Sequence, residues 1–141
     1  MENDPMSQRR RFARHKAEIA IEVRLGTLVP SSKEYLNNIS LGGLSFKSKI
    51  ALLKDTVIQV RLPLTHPIYE TKAKVVWCRP NGTIFDIGVE FQNQNLKENI
   101  VEQICDIAEY KKQVLEKDGR KLTSEEAALE WLAKIAKENQ K

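Results

Sequence analysis

From Ile19 onward, apolar residues recur at every second position: Ile19, Ile21, Val23 and Leu25 alternate with Ala20, Glu22 and Arg24. A period of two places alternate residues on opposite faces of a pleated strand, so this segment predicts a strand with one buried face. Gly26 through Lys33, with Pro30-Ser31-Ser32 inside it, interrupts the pattern with turn residues. A second strand is predicted near Tyr35–Ile39 and a third over Leu44–Ser48, with the Gly42-Gly43 corner between them. Val57–Leu62 alternates again, carrying Ile58, Val60 and Leu62 on one face. Pro63 and Pro67 mark a loop, after which Ile68–Arg79 reads as a long strand with Ala73, Val75 and Trp77 on one face. Pro80-Asn81-Gly82 is a hairpin turn, since Asn-Gly accepts the positive φ angles a tight turn needs. Thr83–Phe91 is the final strand.

Six strands with no helix between them predict a mainly β fold, an antiparallel barrel or sandwich. Parallel βαβ units are excluded because their crossover helices are missing. The period then changes. Leu96, Ile100, Ile104, Ile107, Ala108 and Lys111 keep helical spacing to about Glu116, with Asn95 and Glu98 as a capping-box-like start. Asp118-Gly119 stops this helix. Thr123 and Glu126 form a second capping box, with Leu122 and Ala127 placed for a hydrophobic staple. Ala128, Trp131, Leu132, Ile135 and Ala136 make the last helix amphipathic.

At 141 residues the chain fits one domain with an appendage. The expected division is a flexible N-terminal arm at 1–8, a barrel domain with its helix at 9–116, and a C-terminal amphipathic helix at 120–141. The N-terminus lacks the apolar stretch of a secretory signal, and no apolar run is long enough to span a membrane. A cytoplasmic protein with no membrane insertion is therefore expected. Cys78 and Cys105 stand apart from each other and from His15 and His66, so neither a metal site nor a disulfide framework is expected. No nucleophile, metal or phosphate-loop pattern appears, and the chain is read as a non-enzyme.

The net charge of +4 is modest but unevenly placed. Arg9, Arg10, Arg11, Arg14 and Lys16 crowd one short segment, which implies an anionic partner. Arginine dominates this cluster. Its planar fork can grip the O6 and N7 acceptors of guanine together and can stack on a base, which a lysine does less well. Arg10 and Arg14 form an RxxxR arm. Downstream, Asn38, Ser40 and Gly43 form an NxSxxG turn. Asn38 can accept from the N1–H or N2–H₂ donors of guanine, Ser40 can donate to a phosphate or tie down the turn, and Gly42-Gly43 can take positive φ and let a ligand approach the backbone. Each element alone is ordinary turn chemistry. Both together, bracketing one predicted strand, suit a small, doubly anionic, purine-bearing ligand.

Over residues 9 to about 110 the chain resembles the PilZ domain, the bacterial receptor module for cyclic di-GMP. The resemblance rests on Arg10 and Arg14, on Asn38, Ser40 and Gly43, on the Val76-Trp77 strand and on the Gly88-Val89-Glu90-Phe91 strand. It implies a six-stranded antiparallel PilZ-type β-barrel with C-terminal α-helices, and an arginine arm that folds over the barrel mouth to clamp the ligand against the second motif. It also implies a ligand-binding set of Arg9, Arg10, Arg14, Asn38, Ser40 and Gly43. An arginine at the Arg9 position is associated in the family with a stacked pair of ligands, so two cyclic di-GMP molecules per chain are expected, with no further cofactor. Trp77 and Arg79, two apart on one strand, either reach the ligand or serve as core residue and rim. The expected output is a change of conformation that signals to an unidentified protein partner, with no stable nucleic-acid polymer bound. The alternatives are a small-barrel RNA- or DNA-binding protein with a basic arm, and a PilZ-like interaction module without nucleotide binding.

Overall fold

Alternating apolar positions become strands wherever one face can be buried, and here they wrap into a closed wall. The computed structural model describes residues 15–16, 18–26, 29–92 and 95–138. Its strands are β1 (His15–Lys16), β2 (Ala20–Arg24), β3 (Ser32–Ile39), β4 (Gly43–Ser48), β5 (Val57–Leu62), β6 (Tyr69–Asn81) and β7 (Ile84–Phe91). Two helices follow, α1 (Glu98–Asp118) and α2 (Ser124–Glu138). The pairing runs β3-β2-β5-β6-β7-β4, and β4 pairs back onto β3. Strands β2 to β7 thus close into a six-stranded antiparallel barrel with no free edge to protect. Strand β1 continues the β2 side of β3, pairing His15 with Ile39 and Lys16 with Asn38.

The inner wall contains the residues the alternation names, Ile21, Val60, Leu62 and Val75, together with Leu36, Phe46 and Ile87. All are essentially inaccessible to solvent. Ile100, Val101, Ile104, Ile107 and Val114 of α1 join the same buried cluster, as do Leu122, Ala127 and Ala128 around the start of α2. The buried face of each helix therefore fixes which face remains for other work. Helix α2 is further held to the barrel where the Ala20 amide donates to Ser124 Oγ at 3.1 Å and where Lys33 pairs with Glu125 at 3.1 Å. Ala20 lies in the outward phase of β2, yet this cover leaves it 3% exposed.

Four local expectations need correction. Strand β3 begins at Ser32, because Ser32 and Lys33 pair with β2 where turn residues were expected. Trp77 does not share a face with Ala73 and Val75. A register shift between Val75 and Trp77 inserts an extra residue into β6, and a bulge reverses the period-two phase beyond it. The hairpin after β6 keeps Asn81 in the strand, paired with Ile84, and places the positive φ of 65° on Gly82 alone. Helix α1 starts at Glu98 rather than at an Asn95 cap. Lys97 is the capping residue and makes no side-chain bond there, because buried Leu96 is tied by its amide to the Leu41 carbonyl and sets the entry point. The other helix signals hold. Gly119 ends α1 at φ 67°, and Thr123 and Glu126 exchange both capping-box hydrogen bonds.

Candidate functional site

A second register shift, between Leu36 and Asn38, sits in β3. Leu36 faces the core, Asn37 occupies the bulge, and Asn38 is turned to the outer wall opposite Ser45. Lateral pairing then builds two rows across four strands. The first row runs Asn38–Ser45–Gly88–Trp77, and the second Tyr35–Lys47–Asp86–Arg79. Two bulges in two non-adjacent strands thus bring the Asn38 motif and the Trp77–Arg79 pair onto one surface. That surface is the outside of the barrel, not its mouth.

The first row is a floor with a wall. Gly88 and Ser45 leave little side chain between Asn38 and the indole of Trp77. A side chain at Gly88 would run into that indole, so only glycine lets Trp77 lie flat across β7. Arg79 stacks its guanidinium over the same ring at 4.5 Å, a cation–π contact that holds a cation at the edge of the floor. Ser45 Oγ donates to Asn38 Oδ1 at 3.0 Å. The Asn38 oxygen keeps a second lone pair and its amide nitrogen two donors. Asp86 is held from both sides, its Oδ1 accepting from Asn37 at 2.9 Å and its Oδ2 from Asn81 at 3.0 Å.

A cavity of about 1050 Å³ opens over these rows. The barrel supplies Asn37, Asn38, Ser45, Lys47, Trp77, Arg79 and Asp86, while Glu18 stands at one margin. Helix α1 supplies the facing side, with Cys105, Ala108, Glu109, Lys111, Lys112 and Leu115. Its size is at the upper end of the usual range for small-molecule sites, about 300–1,000 Å³. Lys111 Nζ donates to the Glu18 carbonyl at 3.3 Å and ties the helix to the segment just after β1. Burial, with Asp106 and Glu102 nearby, pushes the Cys105 thiol above its ordinary range.

The residues singled out in the sequence divide three ways. Asn38, Trp77 and Arg79 line the cavity. Ser40 and Gly43 build the corner behind Asn38 and do not line it. Ser40 directs both its amide, at 2.9 Å, and its hydroxyl, at 3.3 Å, to the Gly43 carbonyl. Gly43 is required by close approach rather than by positive φ, because a Cβ there would collide with the Val89 carbonyl. Arg9, Arg10 and Arg14 lie outside the described residues. The Lys16–Asn38 pairing nevertheless joins the chain that carries them to the edge of the cleft. Sequence reasoning missed Ser45, Lys47 and Asp86, although period two places Ser45 and Lys47 opposite the apolar Leu44 and Phe46. It also missed the α1 side, where Cys105, Lys112 and Leu115 join Ala108 in lining the cavity. Among the described residues no helix is long and apolar enough to cross a membrane.

Comparison with known proteins follows the same lines. No curated protein sequence matches the chain. Among solved structures, it resembles the PilZ domain of YcgR from Escherichia coli, described as holding c-di-GMP, with a TM-score of 0.53 and 17% identity over 80% of this chain and 99% of that one. The MotI/DgrA inhibitor of motility from Bacillus subtilis gives a TM-score of 0.54 at 16% identity, over 78% of this chain. The MrkH–c-di-GMP complex of K. pneumonia gives 0.52 at 16% identity, over 79%. This chain spans only 53% and 55% of those last two proteins. At such identities the likeness is one of fold. Family membership is carried by the sequence model of the PilZ domain, which matches residues 8–106 and so takes in both the arginine arm and the whole barrel: the chain belongs to the PilZ domain family.

Proposed function

We propose that this protein is a non-enzymatic cyclic di-GMP receptor, and that the cleft between the outer barrel wall and α1 is its binding site. The observation that carries the reading is the pairing of Lys16 with Asn38. It roots the arginine-bearing arm beside the one motif residue that both faces the cleft and offers guanine a donor and an acceptor. Trp77 presents an aromatic face to a base, and base–aromatic stacking contributes about 1–3 kcal/mol per base. Arg79 holds a fixed cation beside it. Arg10 and Arg14 then close over the ligand, one gripping a guanine edge and the other a phosphodiester. Arg9 serves a second, stacked ligand, so that two nucleotides bind each chain. Closure of the arm remodels one surface and alters affinity for a protein partner, a conformational switch. Neighbours described as c-di-GMP complexes support this reading. The cytoplasm is its proposed place of action.

Calorimetric titration with cyclic di-GMP, with GTP and a short RNA as controls, tests the assignment. Arg10→Ala and Arg14→Ala should each weaken binding at least about tenfold, roughly 1.4 kcal/mol, without loss of fold. Near-parental affinity in both variants would remove the clamp from the mechanism. The parent should take up two nucleotides per chain and Arg9→Leu one. A parental ratio of one would rule out the stacked pair and leave the receptor assignment in place.

A further inference from the structure

We propose that helix α1 is the second wall of the ligand site, and that Lys112, supported by Lys111, contacts a phosphodiester of the bound nucleotide. This rests on the cyclic di-GMP reading. The orientation of α1 is set by its buried residues, Ile100, Val101, Ile104, Ile107 and Val114. At the border of that core face Cys105, Ala108, Lys112 and Leu115, spaced three or four apart, line the cleft as one stripe, with Cys105 and Ala108 half-buried against the core. The stripe is graded in size and charge. Cys105 and Ala108 are short, so a flat, bulky ligand can lie against the helix there. Lys112 follows one turn beyond Ala108.

Charge in the cleft argues the same way. Its lining cations are Lys47, Arg79, Lys111 and Lys112, and its lining anions Glu18, Asp86 and Glu109. The anions are partly engaged: Asp86 accepts from Asn37 and Asn81, and Glu109 from Gln113 at 3.2 Å. Among the cations, Arg79 is committed to the Trp77 ring and Lys111 to the Glu18 carbonyl. Among the described residues Lys112 has neither an ion-pair nor a hydrogen-bond partner. It is the cation on the helix side that is free to meet a phosphate. A ligand with one charge near Arg79 and another near Lys112 would bridge barrel and helix.

The test uses the full chain carrying Cys78→Ser, which leaves Cys105 as the one thiol. Its alkylation is followed at mildly alkaline pH with and without saturating cyclic di-GMP. Bound ligand should slow the reaction at least about tenfold, because a ligand seated against α1 excludes reagent from that wall. Calorimetry in parallel should show Lys112→Ala binding about fivefold more weakly, the upper range for a partly exposed ion pair, and Lys112→Glu about tenfold more weakly. Lys117→Glu, on the same helix but outside the cleft, should bind as the parent does. Binding without protection of Cys105, parental affinity in Lys112→Glu, or an equal loss in Lys117→Glu would each overturn the proposal while sparing the receptor assignment. A chain that takes up no cyclic di-GMP at all would bring down both.

Discussion

The two halves of the barrel wall are built differently. In the β2–β5 half the register is unbroken, and the outer positions neutralise each other. Glu22 and Arg61 face across the strands and pair at 3.0 Å. In the β3–β4–β7–β6 half β3 and β6 each carry a bulge. The outer positions there are a glycine, a small hydroxyl, an amide, an indole and an arginine, and they converge on a cavity. Regular strands suffice to close a barrel and bury its core. Bulges cost regular pairing but re-aim side chains, and among the described residues both lie in strands that line the cavity. Strands that share one continuous apolar interior thus carry a closed, self-satisfied surface on one side and an open one on the other.

The contrast can first be tested by separating the inner face from the outer. Phe46, inside, and Ser45, outside, are neighbours on β4. Phe46→Ala should cost about 3–5 kcal/mol of stability, as large-to-small changes in a packed core do, read by denaturant unfolding. A loss below about 1 kcal/mol would mean that the core does not depend on this strand. The next effect is smaller in stability and falls on binding. Gly88→Ala puts a methyl group where the Trp77 indole lies, so the ring must lift from β7 and take Arg79 with it. Cyclic di-GMP affinity should fall about tenfold, near 1.4 kcal/mol, and tryptophan fluorescence should shift. Parental affinity with an unshifted spectrum would show that the floor tolerates a side chain.

The smallest effect lies away from the cleft, where α2 meets the barrel, and depends on pH. Glu125, at the start of α2, is held below the ordinary carboxylate value of 4.5 by a hydrogen bond from its own backbone amide and then by Lys33. A carboxyl whose pKa is lower folded than unfolded contributes stability that is present above pH 4.5 and lost as pH falls through its lower folded value. With both partners half exposed, solvent screening keeps this contribution small. Amide exchange should show the first turn of α2 loosening on acidification, and Glu125→Gln should abolish that dependence. Identical profiles for parent and variant would place the acid sensitivity elsewhere.

The alternation of Ile19, Ile21 and Val23, of Ile58, Val60 and Leu62, and the helical spacing from Ile100 onward were sufficient to state an antiparallel barrel or sandwich followed by two helices, and the resemblance to the PilZ domain narrowed this to a barrel. The reason is that burial of one face is a local, periodic demand. Both motifs were also legible, because Arg10, Arg14, Asn38, Ser40 and Gly43 have fixed spacing along the chain. The division of labour inside the second motif was not. Ser40 and Gly43 earn their place through contacts with each other and with the Val89 carbonyl on a strand far along the chain. The face occupied by Trp77 was misread because one inserted residue inverts the phase of a strand, and nothing in the composition of Val75-Val76-Trp77 announces it. The cleft itself belongs to the tertiary structure alone. It exists because the buried stripe of α1 docks on the core and swings Lys112 opposite Trp77 and Arg79, and no periodicity within either segment encodes the distance between them.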